Sequence, residues 1–159
     1  ENVANFCERY LPAEIARGPS EDVGRALCSA FHRMDELLSD PSNLDELQSL
    51  SNSISPQAFK ASYANPLCMG CTSVICCVRR DTITVANAGD SRAVICRRGK
   101  AIEMSEDHKP NLPVERARIQ KAGGCILEQH VGPHTHYRVN GNLNLSRSIG
   151  DLQYKRNEQ

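Results

Sequence analysis

The chain has 159 residues, enough for one domain with a real core. Lysine plus arginine is 19 and aspartate plus glutamate is 19, so the basic excess of a nucleic-acid surface is missing and no nucleic-acid partner is expected. No apolar run approaches the length of a membrane span, Glu1-Asn2-Val3 does not begin a signal peptide, and no membrane partner is expected.

Val3, Phe6, Cys7, Tyr10 and Leu11 share one helical face, which predicts a first helix ending at or soon after Pro12. A second helix follows, with Ser20 as its cap and Glu21 and Asp22 in its first turn. Its buried stripe is Val23, Leu27, Ala30, Phe31, Met34 and Leu38, and it ends near Asp40-Pro41. Residues 1–40 thus read as a helix pair. Residues 41–67 are polar and interrupted by prolines, and read as a surface insertion with room for a short helix around Leu44, Leu47 and Leu50.

From 68 to 155 the pattern is antiparallel strands with one helix and a flap. Residues 72–78, 82–86, 93–96 and 100–104 are short apolar runs joined by tight turns, which predicts a meander. Pro113 opens a helix over 114–122 that Gly123-Gly124 stops. A strand begins at Ile126-Leu127, a polar excursion covers 128–136, and Tyr137-Arg138-Val139 follows. Asn140-Gly141 signals a hairpin whose return strand carries Leu143 and Leu145.

Eight cysteines is a high count, but Cys7 and Cys28 fall on apolar helix faces and Cys76 and Cys96 within apolar strand runs. Reduced cysteine behaves as a small apolar side chain. An intracellular compartment, cytoplasmic or nuclear, is expected.

The most informative stretch is Asn87-Ala88-Gly89-Asp90-Ser91-Arg92. It puts a carboxylate in a tight turn between strands, which is how a hard cation needs its oxygen ligands presented. An ordinary turn whose Asp bonds its own backbone has the same composition. Three further pieces stand in order with it: Gly70-Cys71-Thr72 at a strand start, Asp107-His108-Lys109-Pro110 before the helix that ends in Ala122-Gly123-Gly124, and Arg138-Val139-Asn140-Gly141 running on to Ser146-Arg147-Ser148-Ile149-Gly150-Asp151. Together they resemble the middle of the metal-dependent serine/threonine protein phosphatases of type 2C.

The resemblance implies an α+β fold, an antiparallel β-sandwich flanked by helices in four layers, of which this chain is the central part. It implies hydrolysis of phosphoserine and phosphothreonine in phosphoprotein substrates by water held between Mg²⁺ or Mn²⁺ ions. Such ions lower the pKa of the water and neutralise charge on the phosphoryl oxygens. Asp90 matches a carboxylate that binds a further metal beside the pair. Thr72 matches a strand-end threonine close to that site, and Arg138 a basic residue at the base of a flap near the substrate. Arg147 and Asp151 match a motif read as structural, a charge pair or backbone anchor.

The family's other metal-binding motifs, Asp-Gly-His-Gly-Gly among them, are not in the chain. One carboxylate cannot organise a two-metal site, so the chain reads as an internal segment, inactive by itself. Its incomplete sheets are expected to expose edges through which it could self-associate. Three rivals stand beside this reading. Cys68 and Cys71 with His134 and His136 could hold zinc. A cysteine in Cys76-Cys77-Val78-Arg79-Arg80 could act as a nucleophile, although no glycine-rich loop surrounds it. The parent could also be a degenerate, non-catalytic phosphatase-like binding module. His130, His134 and His136 could sense pH or simply be solvated.

Overall fold

The computed structural model describes residues 1–50 and 66–155. The described chain holds four α-helices, α1 (Asn2–Arg17), α2 (Val23–Ser39), α3 (Leu44–Ser49) and α4 (Pro113–Lys121). Its strands are β1 (Gly70–Cys71), β2 (Ser73–Arg79), β3 (Thr82–Ala88), β4 (Val94–Arg97), β5 (Lys100–Glu103), β6 (Ile126–Val131), β7 (His134–Val139) and β8 (Ile149–Gly150). The architecture is α+β. The strands whose register is defined pair antiparallel, in the ladders β1–β8, β4–β5 and β6–β7, and β2 pairs with β3.

The chain divides into two compact units, whose described residues are 1–50, 66–71, 76–86 and 149–155 in the first and 72–75 with 87–148 in the second. In the first unit α1 and α2 bury Val3, Phe6, Leu11, Ala26, Leu27, Ala30, Met34 and Leu38. α1 does not stop at Pro12. The proline lies inside the helix, which runs on to Arg17. A proline at this position removes one intrahelical bond. Side-chain pairing holds the turns beyond it, where Glu14 binds Arg17 and reaches Arg33 of α2 at 3.9 Å. The cap of α2 is Asp22 rather than Ser20: the Asp22 carboxylate accepts from the Arg25 amide at 2.9 Å, while the Ser20 hydroxyl bonds Glu21. An acid at that place satisfies an otherwise orphaned amide and meets the positive end of the helix dipole.

The short helix expected near Leu44 forms, and Leu47 is fully buried against the helix pair. The Asn2 amide donates to the Leu47 carbonyl at 2.8 Å and the Tyr10 hydroxyl to Glu46 at 2.6 Å. The rest of the expected insertion, 51–65, lies outside the described residues. β8 returns to β1 beside α2, where the Gly150 amide donates to Asp35 at 2.8 Å.

In the second unit the expected meander is broken. β4 pairs with β5 and not with β3, because the end of β3 is bonded to the segment before α4, as described below. The polar excursion is itself a hairpin: β6 and β7 pair over six residues, from Ile126↔Val139 to Val131↔His134. The lack of alternation had hidden it, since polar residues fill both faces of these strands and remove the period-two signal. Asn140 and Gly141 both take positive φ, 50° and 78°, as the centre of a primed turn requires, and the Asn142 amide closes that turn on the Val139 carbonyl at 3.0 Å. The chain then returns through a single bridge, Val139↔Leu143, rather than a ladder.

All eight cysteines are free thiols. Cys7 is buried as expected, but Cys28, Cys76 and Cys96 are exposed. Their neighbours in sequence are apolar, yet Cys28 falls just off the buried Leu27 stripe. Cys76 and Cys96 lie on strand faces that also expose Val78 and Val94. Among the described residues no helix is long and apolar enough to cross a membrane.

Candidate functional site

The turn after β3 depends on Gly89. Its φ is 123°, a conformation that a side chain strongly disfavours. A Cβ there would also come within 2.5 Å of the Thr72 methyl. Thr72 therefore packs onto the turn, and its hydroxyl bonds the Ser91 hydroxyl at 2.8 Å. Two of the residues selected from sequence, Thr72 and Asp90, are thus brought to one turn, through the neighbours of Asp90 on either side.

A second segment closes on the same turn. His108 and Gly89 are bonded twice: the His108 amide donates to the Gly89 carbonyl at 2.9 Å, and the Gly89 amide donates to His108 Nδ1 at 3.1 Å. Nδ1 is therefore an acceptor, and the ring is neutral with its proton on Nε2. Burial pushes the His108 pKa down and the charge of Arg147 adds to this. Beside it, Lys109 donates to the Asp90 carboxylate, with both side chains partly exposed. Arg92 grips Asp107 through two bonds of 2.7 and 2.8 Å, and this guanidinium holds the Asp107 pKa below the usual carboxylate range. The Asn87 amide donates to the Glu106 carbonyl at 2.7 Å.

The two motifs are therefore one structure, a relationship that the sequence reading missed. The signal was nonetheless in the residues. Asp90-Ser91-Arg92 and Asp107-His108-Lys109 carry acid and base in the same order, so an antiparallel approach sets acid against base twice.

Arg138 lies elsewhere in this unit, on β7. Its guanidinium donates to Gln129 on β6 at 2.8 Å and to the Asn142 carbonyl at 2.5 Å. These bonds brace the β6–β7 hairpin. β7 instead contributes to a cavity of about 230 Å³ beside Lys109, lined by Lys109, Asn111, Thr135, His136, Tyr137 and Asn144. Arg147 makes a charge pair, but with Glu115 of α4 at 2.6 Å. Asp151 serves as a backbone anchor in the first unit, where its amide donates to the Met69 carbonyl at 2.7 Å.

Asp90 is a suitable oxygen donor for a hard cation, being fixed in position and about a quarter exposed. The set as a whole does not fit a two-metal centre. The described residues contain no group of three or more His, Cys, Asp or Glu side chains placed to share a metal ion, and an ammonium already sits on Asp90. Among the described residues the zinc set is likewise not formed: Cys68 bonds Gln153, Cys71 ends β1, and His134 and His136 stand on β7. Cys76 and Cys77 lie within β2, with no phosphate-cradling loop around them.

Comparison with known proteins bears on the whole of this arrangement. The family model described as Protein phosphatase 2C matches residues 3–159. The chain is 38% identical over 186 residues to "Probable protein phosphatase 2C 11" of Oryza sativa subsp. japonica, covering 98% of this chain and 49% of that protein. It is 39% identical over 160 residues to "Protein phosphatase 2C 1" of Paramecium tetraurelia, covering 99% and 48%. It thus spans about half the length of the curated relatives it matches. Among solved structures it resembles the one titled "Structure of a C.elegans sex determining protein", with a TM-score of 0.71 and 22% identity over 98% of this chain and 34% of that one. That likeness concerns the fold, and it agrees with the α+β architecture. With nearly its full length matched and the Gly89, Asp90 and His108 cluster in place, the chain belongs to the protein phosphatase 2C family.

Proposed function

We propose that this chain is the central part of a protein serine/threonine phosphatase that uses Mg²⁺ or Mn²⁺, and that Asp90 contributes one carboxylate to its metal cluster. The observation that carries this reading is the construction around Asp90. Gly89, Thr72, Ser91 and His108 hold the turn on three sides, while the carboxylate is left to charge partners alone. Membership of the family supports phosphoprotein substrates. Thr72 supports the turn, and Arg138 braces the hairpin that borders the cavity beside Lys109. Both are proposed to act on the substrate side of the site. Because one carboxylate does not make a metal cluster, the chain alone is proposed to be inactive, and no step of hydrolysis is assigned to the residues described.

The test is hydrolysis of a phosphothreonine peptide with Mn²⁺, run with the complete protein, its Asp90→Ala variant and this chain alone. The reading expects turnover by the first, strong loss in the second and none in the third. Direct Mn²⁺ titration of the complete protein should show weakened binding after Asp90→Ala. Phosphopeptide binding without turnover by the complete protein would favour a non-catalytic binding module. Full activity and unchanged Mn²⁺ binding after Asp90→Ala would remove Asp90 from the site.

A further inference from the structure

Among the described residues β7 pairs with one strand only, β6, so its other edge is open to a second. The bridge to Leu143 fixes which backbone groups that edge presents. The Val139 amide donates to the Leu143 carbonyl at 2.7 Å and the Leu143 amide donates to the Val139 carbonyl at 3.2 Å, so both backbone groups of Val139 point away from β6. Backbone direction alternates along an antiparallel strand, so Tyr137 and Thr135 also turn N–H and C=O away from β6. The two-residue turn at Gly132-Pro133 sets the same phase, since the pair that flanks it, Val131↔His134, is the one that exchanges bonds across the ribbon. No other backbone group among the described residues bonds Thr135 or Tyr137 on that outer side.

The cavity beside Lys109 lies along this edge. Thr135, His136 and Tyr137 all line it, and successive strand residues face opposite sides of a ribbon, so one cavity reaches all three only from an edge. Among the described residues none of β6 lines it, so the edge is the one that β6 leaves open. Asn144, the residue after Leu143, lines it too. So does Lys109, whose ammonium bonds the Asp90 carboxylate.

We propose that an extended phosphopeptide substrate pairs with β7 as an added strand, taking up at Tyr137 and Thr135 the edge that Leu143 occupies at Val139. This deepens the reading of Asp90 as part of a phosphatase site and rests on it. Thr135 and Tyr137 each offer one donor and one acceptor to a peptide main chain laid beside them. Such bonds give affinity without reading side chains, so the substrate is selected for being unfolded around its phosphorylated residue. A helical segment is refused, because its own N–H groups are already bonded within the helix. The residues along the edge are polar, which suits a peptide main chain rather than the apolar face of a helix. A peptide on this edge passes Lys109 and lies one side chain from Asp90, which brings its phosphorylated residue to the proposed metal ligand.

The probe is a short fluorescein-labelled peptide in which a phosphonate that cannot be hydrolysed replaces the phosphate of phosphothreonine. Its affinity for the complete protein with Mn²⁺ is read by anisotropy, for the parent peptide and for versions N-methylated at one amide each. The expected result is losses of about fivefold or more that recur at every second amide on one side of the phosphonate, because only alternate peptide groups face β7. Thr135→Pro removes an N–H that points out from the ribbon, a place where a strand tolerates proline, and should weaken binding by a similar factor. Thr135→Ala keeps that N–H and should recover most of the affinity. No binding, N-methyl losses without the two-residue period, or undiminished binding by a folded Thr135→Pro protein would overturn the proposal. The N-methyl series needs no variant, so it decides the matter even where Thr135→Pro does not fold. Hydrolysis of p-nitrophenyl phosphate with Mn²⁺, a substrate without a main chain, reads the proposed function separately. Its absence beside periodic peptide binding sinks the phosphatase reading, and its presence beside aperiodic binding sinks the added strand alone.

Discussion

Gly89 and His108 are joined through two hydrogen bonds, one from backbone to backbone and one from a backbone amide to an imidazole nitrogen. The second exists only while the ring is neutral. Burial lowers the folded-state pKa of His108 below the ~6.5 of an unfolded chain, so the unfolded state takes up the proton first as pH falls. The contribution of His108 to stability is therefore complete above about pH 6.5 and is lost as pH falls through the lower, folded value. Urea midpoints measured between pH 8 and 5 should decline for the parent chain. A His108→Gln variant should show a shallower decline over the same interval. Parallel curves would mean that the ring does not carry this link.

Gly89→Ala should be among the most damaging single methyl additions in the chain. It meets both an unfavourable positive φ and the Thr72 methyl at 2.5 Å. Strain of this kind costs about 1–3 kcal/mol before any overpacking is added. Chemical denaturation should show a loss above ~2 kcal/mol. A paired Gly89→Ala, Thr72→Ser variant should recover part of it, because the serine removes the methyl.

The Glu115 carboxylate is buried, whereas its partner guanidiniums Arg147 and Arg118 are nearly half exposed. Burial pushes the Glu115 pKa up, but the hydrogen bonds from Arg147 and Arg118 outweigh it and bring the value to about 2. Removing one side of this pair should not equal removing the other. Arg147→Ala leaves a buried charge short of its main partner and should cost about 3 kcal/mol. Glu115→Gln leaves only cations that can turn to solvent and should cost ~1–2 kcal/mol. The sign with pH is also fixed. The contribution of Glu115 is present above about pH 4.5 and is lost as pH falls towards 2, so Arg147→Ala should lose more stability at pH 7 than at pH 3.

Asp90→Asn should separate folding from function. The Asp90–Lys109 pair is partly exposed on both sides, and such pairs contribute at most about 1 kcal/mol. The unfolding midpoint should hardly move, while the complete protein should lose Mn²⁺ affinity. A large stability loss would make Asp90 a structural partner of Lys109 first.

Much of this was legible in the residues. The apolar periodicity of 23–38 marked α2, and Asn140-Gly141 marked a turn that needs positive φ twice. Asp90 and Thr72 were selected by motif, and the structure places them at one turn. What sequence could not supply was pairing across distance. The β6–β7 hairpin carries Glu128, Gln129, His130, His134 and Thr135, so no alternation announced it. The bonds of Gly89 to His108 and of Arg92 to Asp107 replace the strand pairing that local reading expected between β3 and β4. Pro12 misled for a related reason. Local preference argued for a stop, but contacts from α2 and α3 fix the helix on both sides of it.

Every ladder among the described residues is two strands wide. In such a ribbon successive backbone N–H groups point alternately towards the partner and away from it. Deuterium labelling should therefore write a comb along β6 and β7, slow and fast sites in strict alternation over the six paired positions. Where the complete protein lays another strand alongside, the fast teeth of that comb should disappear, so the labelling pattern maps where the rest of the polypeptide docks.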